Sequence, residues 1–110
     1  MAIYHIVLFK FKDLIPLEEE RAACGRMLDL AANCIHPTSQ KPYVKMLGGG
    51  KDNSPEGLSG GITHAFIAQF ENEEDRNYYV DKDPAHLAFV ASIKDMVDKI
   101  QVIDFTPDVF

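Results

Sequence analysis

Tyr79 and His86 are the two side chains whose types and spacing best fit proton-transfer chemistry. They stand on either side of the segment Asp81-Lys82-Asp83-Pro84, which is typical of a tight turn. A neutral imidazole can act as a general base near pH 7, and a tyrosine hydroxyl can hold a carbonyl oxygen. The alternative is that His86 is a surface or capping residue and that Tyr79 belongs to the core.

The helix that carries His86 has a clear start signal. Asp83 is a favoured N-cap residue and Pro84 suits the first helical position, so Asp83 is interpreted as a cap rather than an acid catalyst. His86 then lies in the first turn, where the positive end of the helix dipole favours the neutral imidazole. A shorter helix from Glu73 to Val80, capped by Asn72, precedes the turn. The second helix is predicted to pack through an apolar stripe made of Leu87, Val90, Ile93, Met96 and Val97. Phe89 lies off this stripe, nearer the face of His86.

The first strand supplies the likeliest neighbour, His5. Residues 2–11 alternate, and both faces of this strand are largely apolar, so both must be covered. Helices of the chain can cover one face, and a second copy of the chain is expected to cover the other. We predict that this open face lines an apolar chamber that could bind a small molecule, and that it carries His5, Val7 and Phe9 together with His64 and Phe66 of a third strand.

The remaining elements complete a single domain over residues 1–110. The pattern predicts a helix from Pro16 to Cys34 and strands at 43–47, 62–70 and 100–105. The order β-α-β-β-α-α-β is typical of an α+β fold with a four-stranded antiparallel sheet and helices on one face. Gly48 to Lys51 is predicted to be part of a flexible turn, because no Ser or Thr follows the lysine as a phosphate loop requires.

Composition excludes several partners. The chain has a net charge of -6 and a pI near 5.0, which argues against nucleic acid and anionic membranes. The four histidines are too scattered for a recognisable metal motif, so no metal or cofactor is expected. The two cysteines are interpreted as reduced thiols, and no signal peptide or membrane-length apolar run is visible, so a cytoplasmic location is expected.

Four segments together resemble one family. They are His5–Lys12, Gly61–Ala65, Asp83–His86 and Ile103–Pro107. In this order they are similar to the first strand, third strand, Pro-x-His helix start and closing strand of the stress-responsive A/B barrel (Dabb) family. The length and tail are most similar to those of fungal members. The resemblance implies a ferredoxin-like fold and a homodimer whose two sheets form an α+β barrel.

The resemblance also implies a reaction. The family includes a plant polyketide cyclase that performs an intramolecular aldol condensation with a His/Tyr pair. Its catalytic histidine matches His86, and its strand-one histidine matches His5. Its tyrosine matches Tyr79 if one residue is inserted in the turn. Three residues that shape its pocket from the first helix fall at Ala23, Cys24 and Met27, so a differently shaped pocket is expected here.

Three functions stay open at this point. In the first, a cofactor-free cyclase or lyase uses His86 as base, Tyr79 to hold a carbonyl oxygen and His5 to orient the substrate or His86. The residues expected to line its pocket are Val7, Phe9, Met27, His64, Phe66 and Phe89. In the second, a non-enzymatic stress-response protein binds a small apolar ligand in the barrel. In the third, the dimer has no ligand and its own side chains fill the chamber.

Overall fold

Four strands and three helices make up the chain, and the computed structural model describes all residues from 1 to 110. In chain order the elements are β1 (Ile3–Phe11), α1 (Leu17–Asn33), β2 (Lys45–Lys51), β3 (His64–Phe70), α2 (Glu73–Asp81), α3 (Pro84–Ile93) and β4 (Val97–Phe105). All strand pairs are antiparallel, and the order across the sheet is β2-β3-β1-β4. The predicted α+β architecture and its element order are confirmed. None of the helices is long and apolar enough to cross a membrane.

The two helices on either side of the turn begin where the sequence predicts. Asn72 caps α2, because its side-chain oxygen accepts the Asp75 N–H at 2.8 Å. Asp83 caps α3, where its carboxylate accepts the Ala85 N–H at 2.9 Å and Pro84 takes the first helical position. Each cap satisfies backbone donors that the helix itself cannot pair. Asp83 thereby fixes the α3 end of the short link, and at the α2 end the Lys82 N–H donates to the Tyr78 carbonyl oxygen at 2.8 Å.

The helices pack on the face of the sheet that carries His5. The edge of the His5 ring meets Tyr79 of α2, with ring centroids 5.7 Å apart. Phe9 lies against Phe89 of α3 at 6.5 Å. The prediction that this face is open to a second copy is therefore wrong. The reason is bulk: the large aromatic side chains of the sheet point to this side and bury most area against the helices.

The opposite face of the sheet has no cover within the chain. Tyr4, Ile6 and Leu8 of β1 point to this side, because neighbouring residues along a strand alternate. Their cross-strand neighbours Ile67 and Ile103 are 40% and 55% exposed. Adjoining apolar side chains that are exposed on one sheet face are typical of a surface that contacts another molecule rather than of a monomer.

The edge strand β4 is exposed on both faces. Val102 is the cross-strand neighbour of buried Val7 and therefore points to the helix side, yet it is 52% exposed. The helix layer packs on β2, β3 and β1 and leaves this edge uncovered. In α3, Phe89 and Ile93 are buried whereas Leu87 and Val90 are exposed, so the first half of the predicted stripe is wrong; Ile93 is in the core, and Met96 and Val97 beyond the helix pack against it. Nearly every residue of this helix is apolar, which leaves periodicity unable to select a face.

Strand β2 continues through the glycines that the sequence predicts to be a turn. It runs from Lys45 to Lys51 and pairs with β3 along this length. Gly49 is paired with Phe66, and a Cβ added to Gly49 would lie 2.1 Å from an atom of that ring. The glycine therefore leaves room for the aromatic ring to lie directly on the strand.

Candidate functional site

The three residues predicted to be catalytic come together within one chain. The His86 ring stacks on the Tyr79 ring, with centroids 3.9 Å apart and planes inclined by 23°. Tyr79 has no exposed surface and packs against Phe70 at 5.0 Å. Since the edge of His5 faces the same phenol ring, the extra residue in the turn does not rotate Tyr79 away. We call His86, Tyr79 and His5 the ring cluster.

The hydrogen bond of His86 defines its tautomer. Its Nδ1 atom lies 2.7 Å from the backbone carbonyl oxygen of Tyr79. A carbonyl can only accept, so Nδ1 carries the proton and Nε2 keeps a lone pair. Burial lowers the pKa of His86, and His5 lowers it further, whereas the bond to Tyr79 and the charge of Asp83 act in the opposite sense. The imidazole is therefore neutral at pH 7 and can take up a proton at Nε2.

The hydroxyl of Tyr79 has no hydrogen-bond partner although it is fully buried. Burial raises the pKa of this phenol well above its ordinary value, so it remains a proton donor at neutral pH. A buried polar group without a partner costs free energy and is rare in folded proteins. The hydroxyl has no exposed surface and Tyr79 belongs to the hydrophobic core, so a ligand oxygen reaches this donor only when the side chains around it move.

A chain of charged groups holds His5. Its Nδ1 atom lies 2.6 Å from one carboxylate oxygen of Asp104 on β4. The other oxygen accepts a hydrogen bond from Arg76 of α2 at 2.9 Å. The carboxylate thus fixes the ring orientation of His5 and links α2, β1 and β4. Neither Asp104 nor Arg76 is predicted from the sequence, although a lone carboxylate between Ile103 and Phe105 was a usable signal.

A second buried carboxylate lies at the start of α3. Asp83 is 1% exposed, and its second oxygen accepts the Tyr43 hydroxyl at 2.5 Å. The thiol of Cys34, at the end of α1, is also beside this carboxylate, and burial is the main cause that raises its pKa to about 12. Cys34 is therefore an unreactive thiol at neutral pH. The cap was predicted, but its contacts with Tyr43 and Cys34 were not.

His64 lies away from the ring cluster. It is paired with Phe9, four residues along β1 from His5, which places it about 13 Å from that residue at roughly 3.3 Å per residue. Its Nδ1 atom lies 2.8 Å from the Thr63 hydroxyl oxygen, and its ring meets Phe11 edge-on. Burial lowers its pKa. His64 therefore belongs to the other end of the sheet.

The apolar residues predicted to line the pocket form the hydrophobic core. They are Val7, Phe9, Met27, Phe66 and Phe89, and all are buried between the sheet and the helices. They pack on one another, as the contacts of Phe9 with Phe66 and Phe89 show, and they line none of the three principal clefts.

The principal clefts of the surface lie elsewhere. They measure about 810, 560 and 510 Å³, and none is lined by a member of the ring cluster. The first is a polar cleft bounded by His36 and Asp75, whose side chains approach to 3.2 Å. No set of three or more His, Cys, Asp or Glu side chains could hold a metal ion.

The fold and the site define a ferredoxin-like α+β protein in which a half-buried histidine stacks on a buried tyrosine. The family pattern of the stress responsive A/B barrel domain (Dabb) matches residues 3–107, and the chain belongs to this family.

Two relatives match almost the whole chain. The stress-response A/B barrel domain-containing protein HS1 of Arabidopsis thaliana is 33% identical over 105 residues, which cover 96% of this chain and 89% of that protein. Olivetolic acid cyclase of Cannabis sativa is 29% identical over 107 residues, which cover 97% and 98% of the two chains.

Two solved structures are also similar. The crystal structure of the Arabidopsis thaliana protein At3g17210 gives a TM-score of 0.80 at 31% identity, covering 98% of this chain and 97% of that one. A dimeric ferredoxin-like protein from Thermobifida fusca gives a TM-score of 0.67 at 26% identity, covering 96% and 91%.

Proposed function

We propose that the protein is a cofactor-independent cyclase or lyase of the intramolecular aldol type, acting on a linear β-polyketone. One observation carries the proposal: the buried Tyr79 hydroxyl has no partner and belongs to the same ring stack as His86, whose Nε2 lone pair is free. A base and a neutral hydrogen-bond donor together suit proton abstraction next to a carbonyl group. The relative olivetolic acid cyclase supports the reaction class.

The proposed steps need no external reactant. His86 Nε2 takes a proton from the carbon between two carbonyl groups, and the electron pair of that C–H bond forms an enolate. The Tyr79 hydroxyl donates a hydrogen bond to the enolate oxygen. The carbanion carbon then attacks a second carbonyl of the same molecule and forms the new C–C bond. The resulting alkoxide takes the proton back from His86, so protons and electrons balance.

The exposed surface beside the Asp104 anchor of His5 suits an apolar substrate. His86 is half-buried, and its neighbour His5 is paired across the sheet with Asp104. Val102 points to the same side of β4 as Asp104 and is exposed, and so is Ile100, which lies two residues before Val102. These side chains offer an uncovered apolar surface on the helix side of the sheet, next to the anchor of His5.

The active form is proposed to be a homodimer joined through the open sheet face. The exposed strip of Ile67, Ile103 and Phe105 would be covered by the same strip of a second copy, as a two-fold contact requires. A domain this small gains core by pairing. The dimeric protein from Thermobifida fusca, which shares the fold, supports this arrangement.

Turnover of a synthetic linear β-polyketone by the His86→Ala variant tests the function. Loss of the general base should reduce the rate roughly 10²–10⁴-fold. His36→Ala is the matched control, because His36 lies outside the ring cluster and pairs with Asp75. Equal rates for the wild-type protein and His86→Ala would contradict the proposal.

A second candidate is a non-enzymatic protein that binds a small apolar ligand on the helix side of β4. The exposed side chains of Ile100 and Val102 favour it, since they form an apolar surface without reactive groups. HS1, the relative at 33% identity, is named for stress response rather than for a reaction. Calorimetric titration with the polyketone separates the two functions. A pure binding protein would lose affinity in Val102→Asp and keep it in His86→Ala.

A further inference from the structure

Asp83 occupies an unusual position for a helix cap, because its carboxylate is buried and makes no ion pair with a lysine or arginine. Most capping carboxylates lie at the surface, where water solvates the charge. A buried charge needs other compensation. Here it comes from hydrogen-bond donors of several elements.

Each oxygen of the carboxylate has a defined partner. One oxygen accepts the Ala85 N–H at 2.9 Å and the His86 N–H at 3.4 Å. The other accepts the Tyr43 hydroxyl at 2.5 Å. The thiol of Cys34 approaches the same group from the end of α1. Asp83 thus fixes the backbone of the first turn of α3, including the residue that bears the proposed base.

Asp83 also differs from the other titratable groups around the His86 ring in its charge. The titratable groups that act on this ring from the packed elements are His5 on β1, Tyr79 on α2 and Asp83 at its own helix start, whereas Cys34 at the end of α1 adjoins the His86 backbone. Burial keeps Tyr79 and Cys34 protonated at neutral pH. Asp104 and Arg76 lie behind His5 and are paired with each other. Asp83 is therefore the acidic group whose charge acts directly on the ring.

We propose that Asp83 is a positioning residue for His86, whose buried negative charge stabilises the imidazolium that forms when the ring takes up a proton. The Tyr43 hydroxyl holds that carboxylate in place and reduces its field at the ring. The inference rests on the proposed function, because stabilising the imidazolium serves catalysis only if His86 acts as a base. It differs from a capping role, which needs only a hydrogen-bond acceptor.

Two near-isosteric variants separate charge from capping. Asp83→Asn keeps a good capping side chain and removes the charge. Tyr43→Phe keeps the aromatic contacts and removes the hydrogen bond to the carboxylate. NMR titration of the His86 ring should show a midpoint lowered by about half a pH unit or more in Asp83→Asn. In Tyr43→Phe the midpoint should rise, by about a few tenths of a unit.

Shifts of the His86 midpoint in opposite directions in the two variants would not result from a merely structural role. A loosened helix start would move both midpoints in the same direction, towards that of an exposed histidine. Asp81→Asn, at an exposed position before the turn, is the control and should leave the midpoint unchanged. Unchanged midpoints in both variants, or shifts of the same sign, would overturn the inference. If Asp83→Asn fails to fold, Asp83→Ser takes its place, because serine also caps a helix start without the charge and should likewise lower the midpoint.

The titration does not depend on turnover, so the two proposals can fail separately. Opposite shifts in a protein that does not convert the polyketone would refute the cyclase activity and keep the electrostatic coupling. An active protein with unmoved midpoints would refute the coupling and keep the activity. If both hold, the acid limb of the pH–rate profile should move in the same direction as the His86 midpoint in each variant.

Discussion

The Tyr79→Phe variant should make the protein more stable and less active. The substitution removes one oxygen atom from a fully buried position where that atom makes no hydrogen bond. An unsatisfied buried polar group costs roughly 1–3 kcal/mol. Removing it should raise the free energy of unfolding by about 1 kcal/mol after allowance for relaxation of the site. For a domain of this size, that corresponds to a rise in Tm of about 4 °C.

The same change should lower turnover. If the hydroxyl stabilises the enolate oxygen, its loss should reduce the rate on the polyketone about 10²–10³-fold, the effect typical of removing one such donor. A core residue would behave differently, because its removal would lower stability first and activity only through unfolding. Stability and activity that change in opposite directions are typical of a group kept for function.

Tyr43→Phe is the matched control for stability. It removes the same atom from a hydroxyl that donates to Asp83 at 2.5 Å, so it should lower stability by about 1–3 kcal/mol. Urea denaturation of both variants at one protomer concentration measures the contrast. A loss of about 1 kcal/mol or more in Tyr79→Phe would refute the reasoning, because it would mean that the hydroxyl is satisfied in the folded protein.

Three further outcomes are expected. Ile103→Asp places a charge in the open sheet face and should convert the dimer to monomers in light scattering; a dimer that persists would exclude this face as the interface. Burial lowers the pKa of His64 and His86, so the unfolded chain binds more protons between the lowered pKa of each folded ring and about pH 6.5. The free energy of unfolding should therefore fall with acidification by up to about 1.4 kcal/mol per pH unit for each ring. In His86→Asn, denaturation curves recorded at several pH values should show a weaker dependence of this free energy on pH. Gly49→Val should lower Tm by several degrees through its clash with Phe66, and an unchanged Tm would show that the ring can move aside.

The sequence was sufficient for the element order and for the N-caps of α2 and α3. Strict alternation in β1 and the Asp83-Pro84 start signal are local properties, so they survive in the folded chain. The proximity of His86, Tyr79 and His5 in the fold was also predictable, because the turn between the helices is short and β1 is a central strand. What sequence could not decide was which apolar face of β1 meets the helices. In hindsight, Lys10 on the Tyr4 face and the aromatic bulk on the His5 face indicated the answer.

The misassigned segments share a cause, which is tertiary context acting on residues without a local preference. The glycines of β2 form a strand because Phe66 covers Gly49 and β3 supplies the hydrogen bonds. In α3, Phe89 is buried because β1 offers an aromatic partner at that position. The anchor Asp104 was missed for the same reason: its role exists only once β4 is paired beside β1.

The exposure of β4 affects how firmly the side chains of the ring cluster are held. This strand is attached to the chain along one edge, through β1, and buries little side-chain area. Its local opening should therefore need less free energy than global unfolding, and its amides should exchange with solvent sooner than those of β1 and β3. Each opening would release Asp104 and free the His5 ring. A second copy that covers the strand would suppress such openings, so the order of the ring cluster would rise with protein concentration.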